Sequence, residues 1–187
     1  MRVLPFVAAV LLAAPLAAQS NLTAAASTRA TATLTLNAPR VQGQPAPAAK
    51  TVVVDYGVPH ARGREVPTEL MKDATVWRTG ANSSTTMTTQ VDLTIGGAAV
   101  PAGAYSLYTI REAGKYLLII NRNTGQWGTE YDASKDLARV PLTATTLAAT
   151  QESLQIAFVP PATGPAKGTL TIAWGKHTLT ADLAISV

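Results

Sequence analysis

From residue 51 onward the chain is a succession of short alternating runs punctuated by glycine and proline. Thr51 to Tyr56 is β-branched and stops at Gly57 and Pro59. Thr85 to Ile95 predicts one strand, with Val91, Leu93 and Ile95 on one face and Gln90, Asp92 and Thr94 on the other. Gly96-Gly97 closes that strand as a turn. Ala104 to Ile110 predicts the next strand, and Glu112 to Gly114 a turn. Tyr116 to Ile120 is continuously apolar, the pattern of a strand covered on both faces. Leu154, Ile156 and Phe158 alternate before breaks at Pro160-Pro161 and Gly164-Pro165. Leu170, Ile172 and Trp174, then Leu179, Ala181, Leu183 and Ile185, predict a closing hairpin with Gly175-Lys176 as its turn.

Upstream, Ala30 to Leu36 reads A-T-A-T-L-T-L and predicts an edge strand. Residues 37–50, rich in Pro and Ala, predict a long loop. Helical signals are confined to Thr68–Ala74 and Asp132–Ala138, the latter with Asp132 as N-cap. The pattern therefore predicts an all-β domain, an antiparallel β-sandwich of about eight or nine strands. A partly closed β-barrel or jelly roll is the alternative, because strand count does not decide closure.

The N-terminus has a different pattern. Arg2 precedes an apolar run, Val3 to Leu12, and a small-residue stretch, Ala13 to Ala18. This is the pattern of a secretory signal peptide cleaved after Ala18, and the run is too short for a membrane span of about 20 residues. The expected organisation is a leader at 1–18, a disordered tail at 19–28 and one domain at 29–187. The expected localisation is secreted or periplasmic, with no membrane span after leader removal.

Composition narrows the chemistry. The chain has 187 residues, no Cys and 2 His. No disulfide framework, thiolate metal site, Cys nucleophile or three-His centre is possible. The formal charge of +4 is modest, and basic residues do not interleave with aromatics, so nucleic acid is not an expected partner. Every aromatic after Phe6 lies at or beyond Tyr56, so the core belongs mainly to the later part of the chain.

His60, Arg62, Arg64, Trp77, Arg78 and Asn82 form a polar and aromatic set between strands. Arg forks hold carboxylates or phosphates, and Trp stacks on rings or guanidinium groups. The structural reading has Trp77 plugging the core and the arginines paired with Glu65, Glu69 or Asp92. Trp127 and Tyr131 are a second candidate, either a stacking platform or, for Trp127, a lid folded over the sheet edge. Asp132-x-Ser134-x-Asp136 has calcium-like spacing, but Lys135 and the missing glycine favour helix capping. No catalytic residue and no metal or cofactor site is assigned. Ser106 lies in a predicted strand rather than a nucleophile elbow, and nothing selects a triad of Ser, His60 and Asp55 or Asp92.

Further motifs recur in order. They are Tyr56-Gly57-Val58-Pro59, Arg62-Gly63-Arg64, Val76-Trp77-Arg78-Thr79-Gly80-Ala81-Asn82, Ile95-Gly96-Gly97, Pro101-Ala102-Gly103 with Tyr105-Ser106-Leu107, Gln126-Trp127-Gly128 and Asp136 to Val140. Together they resemble domain of unknown function 2911, a family of secreted bacterial proteins, over Arg29 to Val187. Val58 stands where that family usually has Arg, and 37–50 looks like an insertion. The resemblance implies an extracytoplasmic β-rich domain and no particular activity. The expected function is a non-catalytic binding module for a glycan, peptide or envelope component. An extracytoplasmic hydrolase, with His60 or an acid near Arg64 as base, and a purely structural domain are the alternatives.

Overall fold

The computed structural model describes residue 23, residues 25–160 and residues 167–186. The expected leader at 1–18 lies outside the described residues, as does the predicted chain break beyond Pro160. Ten strands follow one another: β1 (Arg29–Leu36), β2 (Lys50–Gly57), β3 (Val76–Trp77), β4 (Thr85–Thr89), β5 (Leu93–Ile95), β6 (Ala98–Val100), β7 (Gly103–Glu112), β8 (Lys115–Asn121), β9 (Asp136–Val159) and β10 (Lys167–Ile185). They form one antiparallel sheet in the order β1-β2-β4-β7-β8-β9-β10-β5-β6, with β3 paired to β7 off this path. The sheet is not closed: β1 and β6 are its two edges. The all-β antiparallel expectation is met, and the barrel alternative is not.

Strand β9 joins two layers. Its residues from Asp136 to Leu142 pair with β8, whereas those from Thr143 to Val159 pair with β10. One apolar cluster fills the space between the layers. It contains Val52, Val54, Met87, Leu107, Leu118 and Ile120 from the first, and Leu93, Ile95, Leu154, Ile156, Leu170 and Ile172 from the second. The Ile156 amide donates to the Tyr56 hydroxyl at 3.1 Å, tying the layers directly. Sandwich packing of this kind buries the inward face of every strand. A smaller cluster of Tyr108, Ile110 and Ile119 lies on the other face of the first layer, packed by Val76, Leu117 and Tyr131. Strand β8 feeds both clusters, which is why its run is apolar without alternation.

Three local expectations are corrected. Thr85 to Ile95 is two strands in different layers, because the chain turns at Gln90–Asp92. There the Thr89 hydroxyl donates to the Val91 carbonyl at 2.6 Å, and an Asp92 carboxylate oxygen accepts from the Ala102 amide at 2.7 Å. The Gly175-Lys176 hairpin turn does not occur, since β10 runs through it with a register shift on each side of Gly175. Gly175 has φ +61°, and a Cβ there would collide with the Val66 carbonyl oxygen. Finally, only residues 133–135 of the Asp132–Ala138 segment are helical, as one 3-10 turn, and Asp136 already opens β9. Asp132 does cap that turn, accepting from the Ser134 amide at 2.9 Å, which accounts for the acidic spacing.

The predicted edge strand is β1, and its Ala30, Ala32, Leu34 and Leu36 pack half-buried against the main cluster. Residues 37–49 connect β1 to β2 without regular structure. Thr28 is held by its carbonyl, which accepts from the Val58 amide at 2.8 Å.

Candidate binding cleft

The segment from Trp77 to Asn82 is built by close packing. Trp77 is buried (7% exposed) and stacks on Trp174, with ring centroids 5.3 Å apart and planes 14° from parallel. Thr79 is fully buried with φ +51°, an uncommon conformation for a β-branched residue. Two bonds hold it there: its hydroxyl shares a hydrogen with that of Thr109 at 2.7 Å, and its carbonyl accepts from the Thr85 hydroxyl at 2.9 Å. A side chain at Gly57 would run into the Ala81 carbonyl oxygen, so the segment lies directly on the end of β2. Asn82 then turns the chain at φ +64° and stays exposed.

The result is a cleft of about 450 Å³, a volume within the range of small-molecule sites. Its walls carry Trp77, Trp174, Tyr108 and Tyr131, and its polar groups include Arg64, Arg78 and Asn82. Five of the eight candidate residues therefore converge: Arg64, Trp77, Arg78, Asn82 and Tyr131. The other three do not line it. His60 pairs with Ser153, its Nδ1 lying 2.8 Å from the Ser153 hydroxyl. Arg62 is exposed, and its backbone amide donates to a Glu152 carboxylate oxygen at 2.8 Å.

Trp127 lies outside the cleft lining and is 49% exposed. Its backbone bridges Ser83, and its neighbour Gly128 lines the cleft. The lid reading of Trp127 is thereby overturned. Gly128 permits this crossing: a Cβ there would lie 2.5 Å from Arg78 Cδ and 2.7 Å from the Asn82 carbonyl oxygen. The Gly128 amide donates to that same carbonyl at 3.0 Å.

The charges of the cleft are unbalanced. Of the expected partners of the arginines, Glu69 accepts from the Glu65 amide and Asp92 from Ala102, and none of the three, Glu65 included, forms an ion pair with them among the described residues. Arg64 donates Nε to the Ala61 carbonyl at 3.0 Å and Nη2 to the His60 carbonyl at 2.9 Å. Arg78 is half-buried and makes no hydrogen bond or ion pair among the described residues. No Asp or Glu among the described residues lines the cleft. Glu130, between the lining residues Thr129 and Tyr131, is exposed, whereas Asp136 and Glu112 belong to a separate network, in which Tyr131 donates to Asp136 at 2.7 Å and Arg139 bridges Asp136 and Glu112 at 3.0 Å each. Burial, and then the bond to Asp136, push the Tyr131 hydroxyl up to about 12. Tyr131 thus offers the cleft its ring, not its proton.

Neither imagined triad assembles. Asp55 pairs with Arg29, and Asp92 holds the Ala102 amide. The His60 and Ser153 pair lines neither this cleft nor a smaller one of about 310 Å³ bounded by Arg64, Glu65, Glu152 and His177. Among the described residues, no helix is long and apolar enough to cross a membrane.

Two features escaped the sequence reading. Tyr108 and Trp174 are cleft walls that strand patterning assigned only to the core. The alternation says which face a residue occupies, whereas the cleft opens where β3 and the 122–131 segment cross strand ends. No curated protein and no solved structure matches the chain at a significant level. The family described as Protein of unknown function (DUF2911) matches residues 38–183, most of the chain and all of the cleft apart from Ser27, and the chain belongs to that family.

Proposed function

We propose that the chain is a non-catalytic binding module, secreted or periplasmic, that holds a glycan, peptide or envelope component in the Arg78 cleft. The N-terminal leader pattern supports the location. One observation carries the binding reading: a half-buried arginine with no partner among the described residues lines an aromatic-walled cleft. No Arg78 nitrogen is both buried and unpartnered, so the guanidinium is open to a ligand that supplies an acceptor, with which it forms charge-assisted hydrogen bonds. Left-handed Thr79 and Asn82 beside the cleft agree with this, since strained backbone concentrates at ligand sites.

A thermal-shift screen tests the reading, with muropeptides, neutral and acidic oligosaccharides and short peptides against the native chain and Arg78→Ala. A ligand at 100 times its Kd stabilises by about 2.7 kcal/mol, a readily measured rise in Tm. The expected result is a rise with at least one compound that Arg78→Ala abolishes. No rise across the panel, or a rise that Arg78→Ala leaves intact, overturns it.

A further inference from the structure

We infer that the ligand of this cleft is an acidic sugar, a pyranose ring bearing a carboxylate that Arg78 receives while Trp127 covers the ring face. The inference rests on the binding reading above and names its ligand chemistry. Among the described residues Arg78 has no acceptor, Arg64 Nη1 has none either, and no carboxylate lines the cleft to compete for them. Of the acids around Tyr131, Asp136 is paired with Arg139 and Asp132 caps the 3-10 turn, while Glu130 is exposed. A guanidinium fork matches a planar carboxylate in two parallel bonds.

The ring argument is independent of charge. A small inorganic anion would use none of the aromatic surface. The cleft lining instead includes Trp77, Trp174, Tyr108 and Tyr131 beside the two arginines, and Trp127, outside the lining, is exposed. Trp127 is bracketed by cleft residues: its backbone bridges Ser83, beside Asn82, and Gly128 follows it. An exposed indole on a segment pinned by Gly128 is a rigid apolar face, suited to the flat side of a sugar.

Isothermal titration of the native chain at low salt decides the matter, using trigalacturonate, its methyl ester, N-acetylmuramic acid, triglutamate and inorganic phosphate. The ester keeps the rings and removes the charge. Trigalacturonate or N-acetylmuramic acid is expected to bind, the first pointing to a uronate polymer and the second to the cell envelope. For a uronate ligand, the methyl ester should bind about 10- to 100-fold more weakly, the worth of a charge-assisted hydrogen bond. Arg78→Gln should weaken the acidic sugar by a similar factor, and Trp127→Ala should weaken acid and ester alike. Arg78→Lys, which keeps stem and charge but loses the fork, serves if the Gln variant fails to fold, and should bind less well than the native chain. Equal binding of acid and ester, or equal binding of triglutamate or phosphate, overturns the acidic sugar while leaving a binding module in place. Silence from every compound here and in the wider screen overturns both.

Discussion

At the scale of single residues, the cleft depends on buried polar groups that satisfy one another. Thr79 and Thr109 are both fully buried and share one short bond. Thr109→Val removes the partner and keeps the shape, so the buried Thr79 hydroxyl is left with only its long bond to the Trp77 carbonyl at 3.4 Å. The expected cost is about 1–3 kcal/mol, measured as a fall in urea midpoint at unchanged slope. Tyr131 makes a second prediction, in pH. Its folded value is raised from 10.0 to about 12, first by burial and then by Asp136. A raised group contributes stability that is complete below its unfolded value and is lost as pH climbs through the folded one. Stability should therefore fall between pH 10 and about 12, and Tyr131→Phe should lose less over that window. Equal losses in the two proteins would rule out Tyr131 as the source. The same residues show what sequence does reveal. Arg64, Trp77, Arg78, Asn82 and Tyr131 were legible as candidates because Arg, Trp and Asn clustered between strands. His60 and Arg62 share that stretch, but a backbone bridge to Ser153 turns them away from it.

At the scale of elements, alternation identified most of the strands and misjudged how two of them continue. Trp174 and Leu179 are five positions apart, so the apolar phase inverts between them. A turn and a bulge both invert phase, and sequence alone does not separate them. The structure chooses the bulge because Val66 packs against Gly175 from outside the sheet. Likewise Val91, Leu93 and Ile95 keep their alternation through the bend at Gln90–Asp92, since facing the core is the same requirement in either layer. Gly175→Ala tests the bulge. It combines a left-handed φ with a collision against the Val66 carbonyl, so destabilisation of about 2 kcal/mol or more is expected in thermal melts. Lys176→Ala, exposed on the adjoining position, should change stability by less than about 0.5 kcal/mol and serves as the control.

At the scale of the whole molecule, the two layers share one core and one continuous strand. Neither layer has a core of its own on the inner side, for every large inner residue belongs to a single cluster. The stacked pair of Trp77 and Trp174 joins β3 of the first layer to β10 of the second, and both rings also wall the cleft. Cleft and core should therefore be lost together. Far-UV circular dichroism reports the sheet, and tryptophan fluorescence reports mainly the stacked pair and Trp127. Their denaturation midpoints should coincide in one transition, as for a two-state domain. Leu154→Ala, buried in the second layer and not itself part of the cleft lining, should lower both midpoints together at a cost of about 2–5 kcal/mol. Separate midpoints would mean that the layers unfold independently, and that the cleft belongs to the first layer alone.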